Sequence, residues 1–140
     1  MWILRFIFVG LILSMGNVLS GQEVDTATHI KSIYFGGGNY YIDSQQEQEL
    51  IEWLDGFERL EQYEIIIQSH TDNIGNVEYN NWLSEMRSNS VWIRLIDYQI
   101  ASEAIEIKDF GEYLPTYSND SHLGRLKNRR ADVILKPVNL

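Results

Sequence analysis

The apolar and polar positions of the chain fall into alternating strand-like and helix-like stretches. Ser32-Ile33-Tyr34-Phe35 is a short β-prone run stopped by Gly36-Gly37-Gly38. From Gln46 to Leu60, Leu50, Ile51, Leu54 and Phe57 recur at helical spacing, while Glu47, Glu49, Glu52, Asp55 and Glu58 occupy the other face. Tyr63 to His70 is the best strand of the sequence, and its three adjacent isoleucines predict burial on both faces, as in a central strand. A turn follows at Thr71 to Gly75, then a long helix from about Glu78 to Tyr98. Ile105 to Phe110 alternates like a strand with one face covered. Gly111 to Leu123 reads as a loop with a short helix entered near Asn119 or Ser121, and Ala131 to Leu135 as the closing strand.

That order, strand–helix–strand–helix–strand followed by loop and strand, predicts an α/β (α+β) sandwich: one mixed sheet with two main helices on one face. The first two strands, joined by a helix, are expected to run parallel. At 140 residues the chain has room for one compact domain. The expected division is residues 1–21 as a signal peptide, 22–31 as a polar lead-in and 32–137 as the folded domain. The signal reading rests on Arg5, an apolar run of roughly eight from Phe6 to Leu13, and small residues at Ser20 and Gly21. An uncleaved anchor helix is the alternative; Arg5, Ser14 and Asn17 interrupt it. Either way the expectation is export.

Charge removes several functions. With 11 basic against 20 acidic residues the net charge is −9, and losing residues 1–20 takes away only Arg5 to leave −10. Such a surface repels phosphate backbones, so no nucleic-acid partner is expected. The 0 cysteines exclude a disulfide, a thiolate metal site and a cysteine nucleophile, and no lipid anchor on cysteine is expected.

The motifs carry more. Ser69-His70-Thr71-Asp72 leads into a turn, Asn80-x-x-Leu83-Ser84-x-x-Arg87 lies on the long helix, and Gly111-Glu112-x-x-Pro115 and Gly124-Arg125-x-x-Asn128-Arg129-Arg130 precede the last strand. In this order and spacing, from about Ile33 to Leu135, the chain resembles the OmpA-like (OmpA/Pal/MotB C-terminal type) peptidoglycan-binding domain, with its β-α-β-α-β-β order. Two positions depart from the family pattern: Ser69 stands where glycine is usual, and Gly36 where aspartate is usual, leaving backbone amides at the mouth of the expected pocket.

The resemblance implies a non-enzymatic binder of the diaminopimelate end of a peptidoglycan stem peptide, in the periplasm at the outer membrane or cell wall. That end is a zwitterion. By resemblance Asp72 takes its ammonium and Arg87 its carboxylate, for which a planar guanidinium suits. Thr71, Asn80 and Arg129 match family positions around the same ligand, with Arg130 structural. Asn80, Leu83, Ser84 and Arg87 share one helix face by their i, i+3, i+4, i+7 spacing. No cofactor is implied; an envelope protein is a further expected partner.

Plainer readings stand beside these. Asp72, Asn73 and Gly75 are ordinary turn residues. Arg87, Arg125, Arg129 and Arg130 suit surface charge on an acidic domain, and Trp82 and Met86 read as core or rim packing rather than a stacking platform. A metal or hydrolytic centre at His70, Asp72 and His122 lacks a third ligand of clear spacing, a nucleophile elbow and a phosphate loop. The alternative function is a degenerate OmpA-like module used for protein–protein contact.

Overall fold

The computed structural model describes residues 26–138; the expected signal segment lies outside them. Strand β1 is His29–Tyr34, helix α1 Ser44–Asp55, strand β2 Tyr63–Ser69, helix α2 Val77–Asp97, strand β3 Ile105–Asp109, helix α3 His122–Asn128 and strand β4 Arg130–Pro137. The expected order is present, with α3 entered at Ser121, whose hydroxyl caps it by accepting from the Gly124 N–H. The sheet runs β1-β4-β2-β3. β4 is antiparallel to both β1 and β2, and β3 is parallel to β2. Strands β1 and β2 therefore point the same way, as the helix between them requires, but the chain's last strand is inserted between them.

Each element starts for a local reason. Asp43 caps α1, its Oδ1 accepting from Gln46 N at 2.9 Å. The Gln46 side chain bonds back to both Tyr34 N and Tyr34 O, which pins the helix entry to the end of β1. Asn76 caps α2 by accepting from Tyr79 N at 2.7 Å. Gly56 ends α1 earlier than the apolar spacing alone predicts, and Phe57 then folds back on Trp53, His29 and Tyr63. The same packing explains why β1 begins at His29, inside the stretch expected to be a polar lead-in.

One core joins the two main helices to one face of the sheet. Leu50 and Leu54 of α1 and Val91 and Leu95 of α2 pack with Ile33, Ile65, Ile67, Ala131, Val133 and Leu135. Each of these larger aliphatic side chains contributes about 1.5–3 kcal/mol by leaving water. Ile66, on the opposite face, is also buried, in register with Ile134 of β4. β3 is less covered than its alternation suggests: Ile107 is 42% exposed because the strand is the sheet's edge. Among the described residues no helix is long and apolar enough to cross a membrane.

Candidate functional site

The site grows from the end of β2. His70 N donates to Arg130 O and Thr71 N to Gly111 O, so the chain leaving β2 is held between the start of β4 and the loop after β3. Asp72 then sits in a tight turn, its Oδ1 accepting from Ile74 N at 3.0 Å. Gly75, at φ +106°, lets the chain reverse into α2; a side chain there would be strained and would crowd Tyr79.

Helix α2 presents its inward face to this turn. Asn80, Leu83, Ser84 and Arg87, which their spacing places on one face, are all buried. Ser84 accepts from Gly111 N at 3.1 Å and thereby holds the loop after β3. The Ser69 hydroxyl lies 2.7 Å from Ser84 O and 2.8 Å from Asp109 Oδ1. The departure from glycine at Ser69 is therefore a tie between β2, α2 and β3.

Among the described residues Arg87 is the most deeply buried charge, with 0% of its surface exposed. Its Nε donates to Asn39 O at 3.0 Å, Nη1 to His70 O at 2.9 Å and Nη2 to Gly36 O at 3.1 Å. The guanidinium lies over the Phe35 ring, 5.0 Å from its centroid. Burial pulls its pKa down to about 10; the Asp72 carboxylate pushes it up and Arg129 down again. It remains a cation at neutral pH. Toward Arg87, Gly36 and Asn39 present carbonyl oxygens. The guanidinium clasps the segment to the end of β2.

Arg129 follows α3, and its backbone carbonyl accepts from Phe35 N at 2.8 Å. Its side chain returns to the turn, where Nε lies 2.6 Å from Asp72 Oδ2. Arg130 points elsewhere: it pairs with Asp132 at 3.0 Å and donates to Thr116 Oγ1 at 2.8 Å. The Gly124-Arg125-x-x-Asn128 motif builds this region. A Cβ on Gly124 would collide with the Ser118 carbonyl oxygen, and buried Asn128 bridges Tyr117 and Asn119.

Asp72, Arg87, Thr71, Asn80 and Arg129 all line one cavity of about 250 Å³, together with Gly37, Gly38, Tyr79 and Leu83. Two buried atoms of these residues have no hydrogen-bond partner: Thr71 Oγ1 and Asn80 Oδ1. Such atoms are costly unless something pairs with them. Asn80 is oriented by a residue given no role in the sequence reading. Its Nδ2 donates to Glu112 Oε2 at 2.6 Å, which commits the amide nitrogen and leaves the oxygen unpaired. The Gly-Glu-x-x-Pro motif marked Glu112, but nothing local to it pointed at Asn80.

The other triad considered does not assemble. His70 stacks on Phe110, Asp72 is taken up by Arg129, and exposed His122 opens α3. Among the described residues no group of three or more His, Asp or Glu side chains is placed to hold a metal ion.

A family model described as "OmpA family" matches residues 34–129, more than half of the chain. The chain belongs to the OmpA family. Motility protein B of Bacillus subtilis is 41% identical over 78 residues, 52% of this chain and 30% of that protein. The peptidoglycan-associated lipoprotein of Buchnera aphidicola is 26% identical over 103 residues, 74% of this chain and 60% of that protein. The chain thus spans less than two thirds of the length of these OmpA-family relatives. Among solved structures, the peptidoglycan-associated lipoprotein from Burkholderia pseudomallei matches with a TM-score of 0.64 at 27% identity, covering 75% of this chain and 89% of that one. A putative MotB-like protein from Desulfovibrio vulgaris matches with a TM-score of 0.68 at 22% identity, covering 86% and 80%, and shares the fold.

Proposed function

We propose that this OmpA-family domain binds peptidoglycan non-covalently in the cell envelope, holding the zwitterionic end of diaminopimelate in a stem peptide. The observation that carries the proposal is the single cavity lined by a carboxylate, two guanidinium groups and two unpaired buried oxygens. A relative whose name describes it as peptidoglycan-associated supports the ligand class. In this reading Asp72 and Asn80 Oδ1 accept from the ligand's ammonium, and Thr71 Oγ1 pairs with either end.

The ligand's carboxylate is assigned to Arg87. A guanidinium has five N–H bonds, and three of Arg87's go to backbone carbonyls, so one hydrogen on each η nitrogen is left for an anion. Because Arg87 has no exposed surface, the carboxylate reaches it only as the Gly36–Gly38 segment or Arg129 gives way. Arg129, at the cavity wall, is the first cation the ligand meets. The reading is of a binder rather than an enzyme and needs no cofactor. It places residues 32–137 outside the cytoplasm with residues 1–21 as the export signal, and leaves room for an envelope protein as second partner.

The test is co-sedimentation of the purified chain with sacculi of diaminopimelate type and of lysine type. Lysine lacks the carboxylate assigned to Arg87, so clearly weaker pelleting is expected with lysine-type wall. Equal pelleting with both removes Arg87 from its role. A folded chain that pellets with neither moves the function to protein–protein contact.

A further inference from the structure

At the edge of the cavity the acidic surface gives way to a continuous group of aromatic rings. Tyr79, which lines the cavity, and Trp82 follow each other at i, i+3 on α2, their centroids 5.7 Å apart. Tyr40 meets Trp82 edge-on at 5.7 Å and carries Tyr41 against it at 4.5 Å. Trp82, which reads as core or rim packing, is 44% exposed, Tyr79 41% and Tyr41 69%. Rings of this size ordinarily gain by leaving water, and such exposure beside a polar cavity is a place for a partner with an apolar surface of its own.

Building on the peptidoglycan reading above, we infer that Trp82, Tyr79, Tyr40 and Tyr41 form a subsite for a sugar ring of the glycan strand to which the stem peptide is joined. Three observations select this occupant. The first is reach: two stem residues and the side arm of diaminopimelate lie between the clamp and the sugar, and the two extended residues alone span about 7 Å. Trp82's ring centre is 5.7 Å from that of Tyr79, which lines the cavity.

The second is the chemistry of the surface. A pyranose ring presents a flat C–H face that packs on an aromatic ring, with hydroxyls at its rim. The Tyr40 and Tyr41 hydroxyls, 3.3 Å apart, offer both donors and acceptors beside the rings. The third is charge. The glycan's amino groups are acetylated and its lactyl groups are amide-linked to the stem, so the strand is neutral and a chain of net charge −9 does not repel it. Asn80, Arg87, Tyr79 and Trp82 all stand on α2. Arg87 of the clamp and Trp82 of the subsite therefore hold a fixed spacing.

The experiment compares a free diaminopimelate tetrapeptide with the same peptide carrying its disaccharide, by calorimetry on the wild type, Trp82→Ala and Trp82→Phe. The expected result is that the disaccharide tightens binding to the wild type about tenfold. Trp82→Ala removes that gain without changing affinity for the free tetrapeptide, and Trp82→Phe restores most of it. Equal affinity of the wild type for both ligands overturns the subsite while leaving the clamp in place. So does a Trp82→Ala loss of the same size for both, since it reports a structural effect. Failure of both ligands to bind the wild type overturns the clamp and the subsite together.

Discussion

Asp72 Oδ2 is held 2.6 Å from Arg129 Nε, with the two side chains only 9% and 15% exposed. The carboxylate assigned to the ligand's ammonium is therefore already charge-paired in the free protein, and the ammonium must share or displace an arginine. Asp72→Asn keeps an oxygen for the Ile74 N–H but removes the charge. Its expected cost in stem-peptide affinity is roughly 2–5 kcal/mol, the usual loss when one charge of an enclosed pair is removed. Arg129→Ala takes away the competitor as well as a cation, so its loss should be at least tenfold smaller. Titration of both variants with diaminopimelate tetrapeptide decides this; equal losses would mean that the pair acts as one unit and Asp72 is not the separate ammonium acceptor.

Arg87 is a brace as well as a candidate ligand contact. Lysine at this position keeps a positive charge but cannot span the carbonyls of Gly36, Asn39 and His70, which Arg87 reaches with three different nitrogens. The His70 carbonyl is buried, and leaving it unpaired costs about 1–3 kcal/mol, with less for the more exposed Gly36 and Asn39 carbonyls. Urea unfolding of Arg87→Lys should show a midpoint lowered by roughly 2–4 kcal/mol in stability, with an unchanged slope. An unaltered midpoint would show that the clasp contributes nothing and that Arg87 is free to act on ligand alone.

His70 makes stability depend on acidity. Its pKa is lowered by burial first and by the Arg130 charge second, with Asp132 acting the other way. Below the ordinary histidine range the unfolded chain therefore binds a proton that the folded chain resists. Stability rises with pH wherever the unfolded state binds more protons. This contribution is complete above the unfolded value of about 6.5 and is lost as pH falls through the folded one. Carboxylates add their own acid dependence, so the comparison is with His70→Phe, which keeps the ring against Phe110 but cannot titrate. Between pH 7.5 and 5 the wild type should lose more stability in thermal melts than the variant; parallel losses would show that His70 does not couple to folding.

What the sequence disclosed and what it hid divide by distance along the chain. That Asn80, Leu83, Ser84 and Arg87 share a face followed from one helix's periodicity; that this face is buried, Arg87 included, did not. The entry of α3, expected near Asn119 or Ser121 and found at Ser121, was legible because it too is local. The insertion of β4 between β1 and β2 was not, since pairings such as Ile33 with Ala131 join residues from opposite ends of the fold. Nor was the clasp of the glycine segment: the contact of Arg87 with Gly36 spans 51 positions and uses backbone oxygens that carry no sequence signature. The grouping of Trp82 with Tyr40 and Tyr41 was not legible either, because helical spacing shows only which residues of one helix share a face.

The bond from Asn80 Nδ2 to Glu112 Oε2, at 2.6 Å, makes Glu112 a positioning residue for the cavity. An asparagine amide has a donor end and an acceptor end, and free rotation would present either to the ligand. Glu112 accepts only, so it selects the nitrogen and turns Asn80 Oδ1 toward the unpaired state in which it is found. An ammonium is thereby met by oxygen rather than by another N–H. Glu112→Ala should let the amide reorient and weaken tetrapeptide binding about tenfold. Glu112→Gln keeps an acceptor within reach of Asn80 Nδ2 and should recover much of that loss. The readout that separates this from plain damage is a tetrapeptide with its diaminopimelate amine acetylated, which has no ammonium to place. Against that peptide Glu112→Ala and the wild type should bind equally; a tenfold loss against both peptides would make Glu112 a support of the loop after β3 and nothing more.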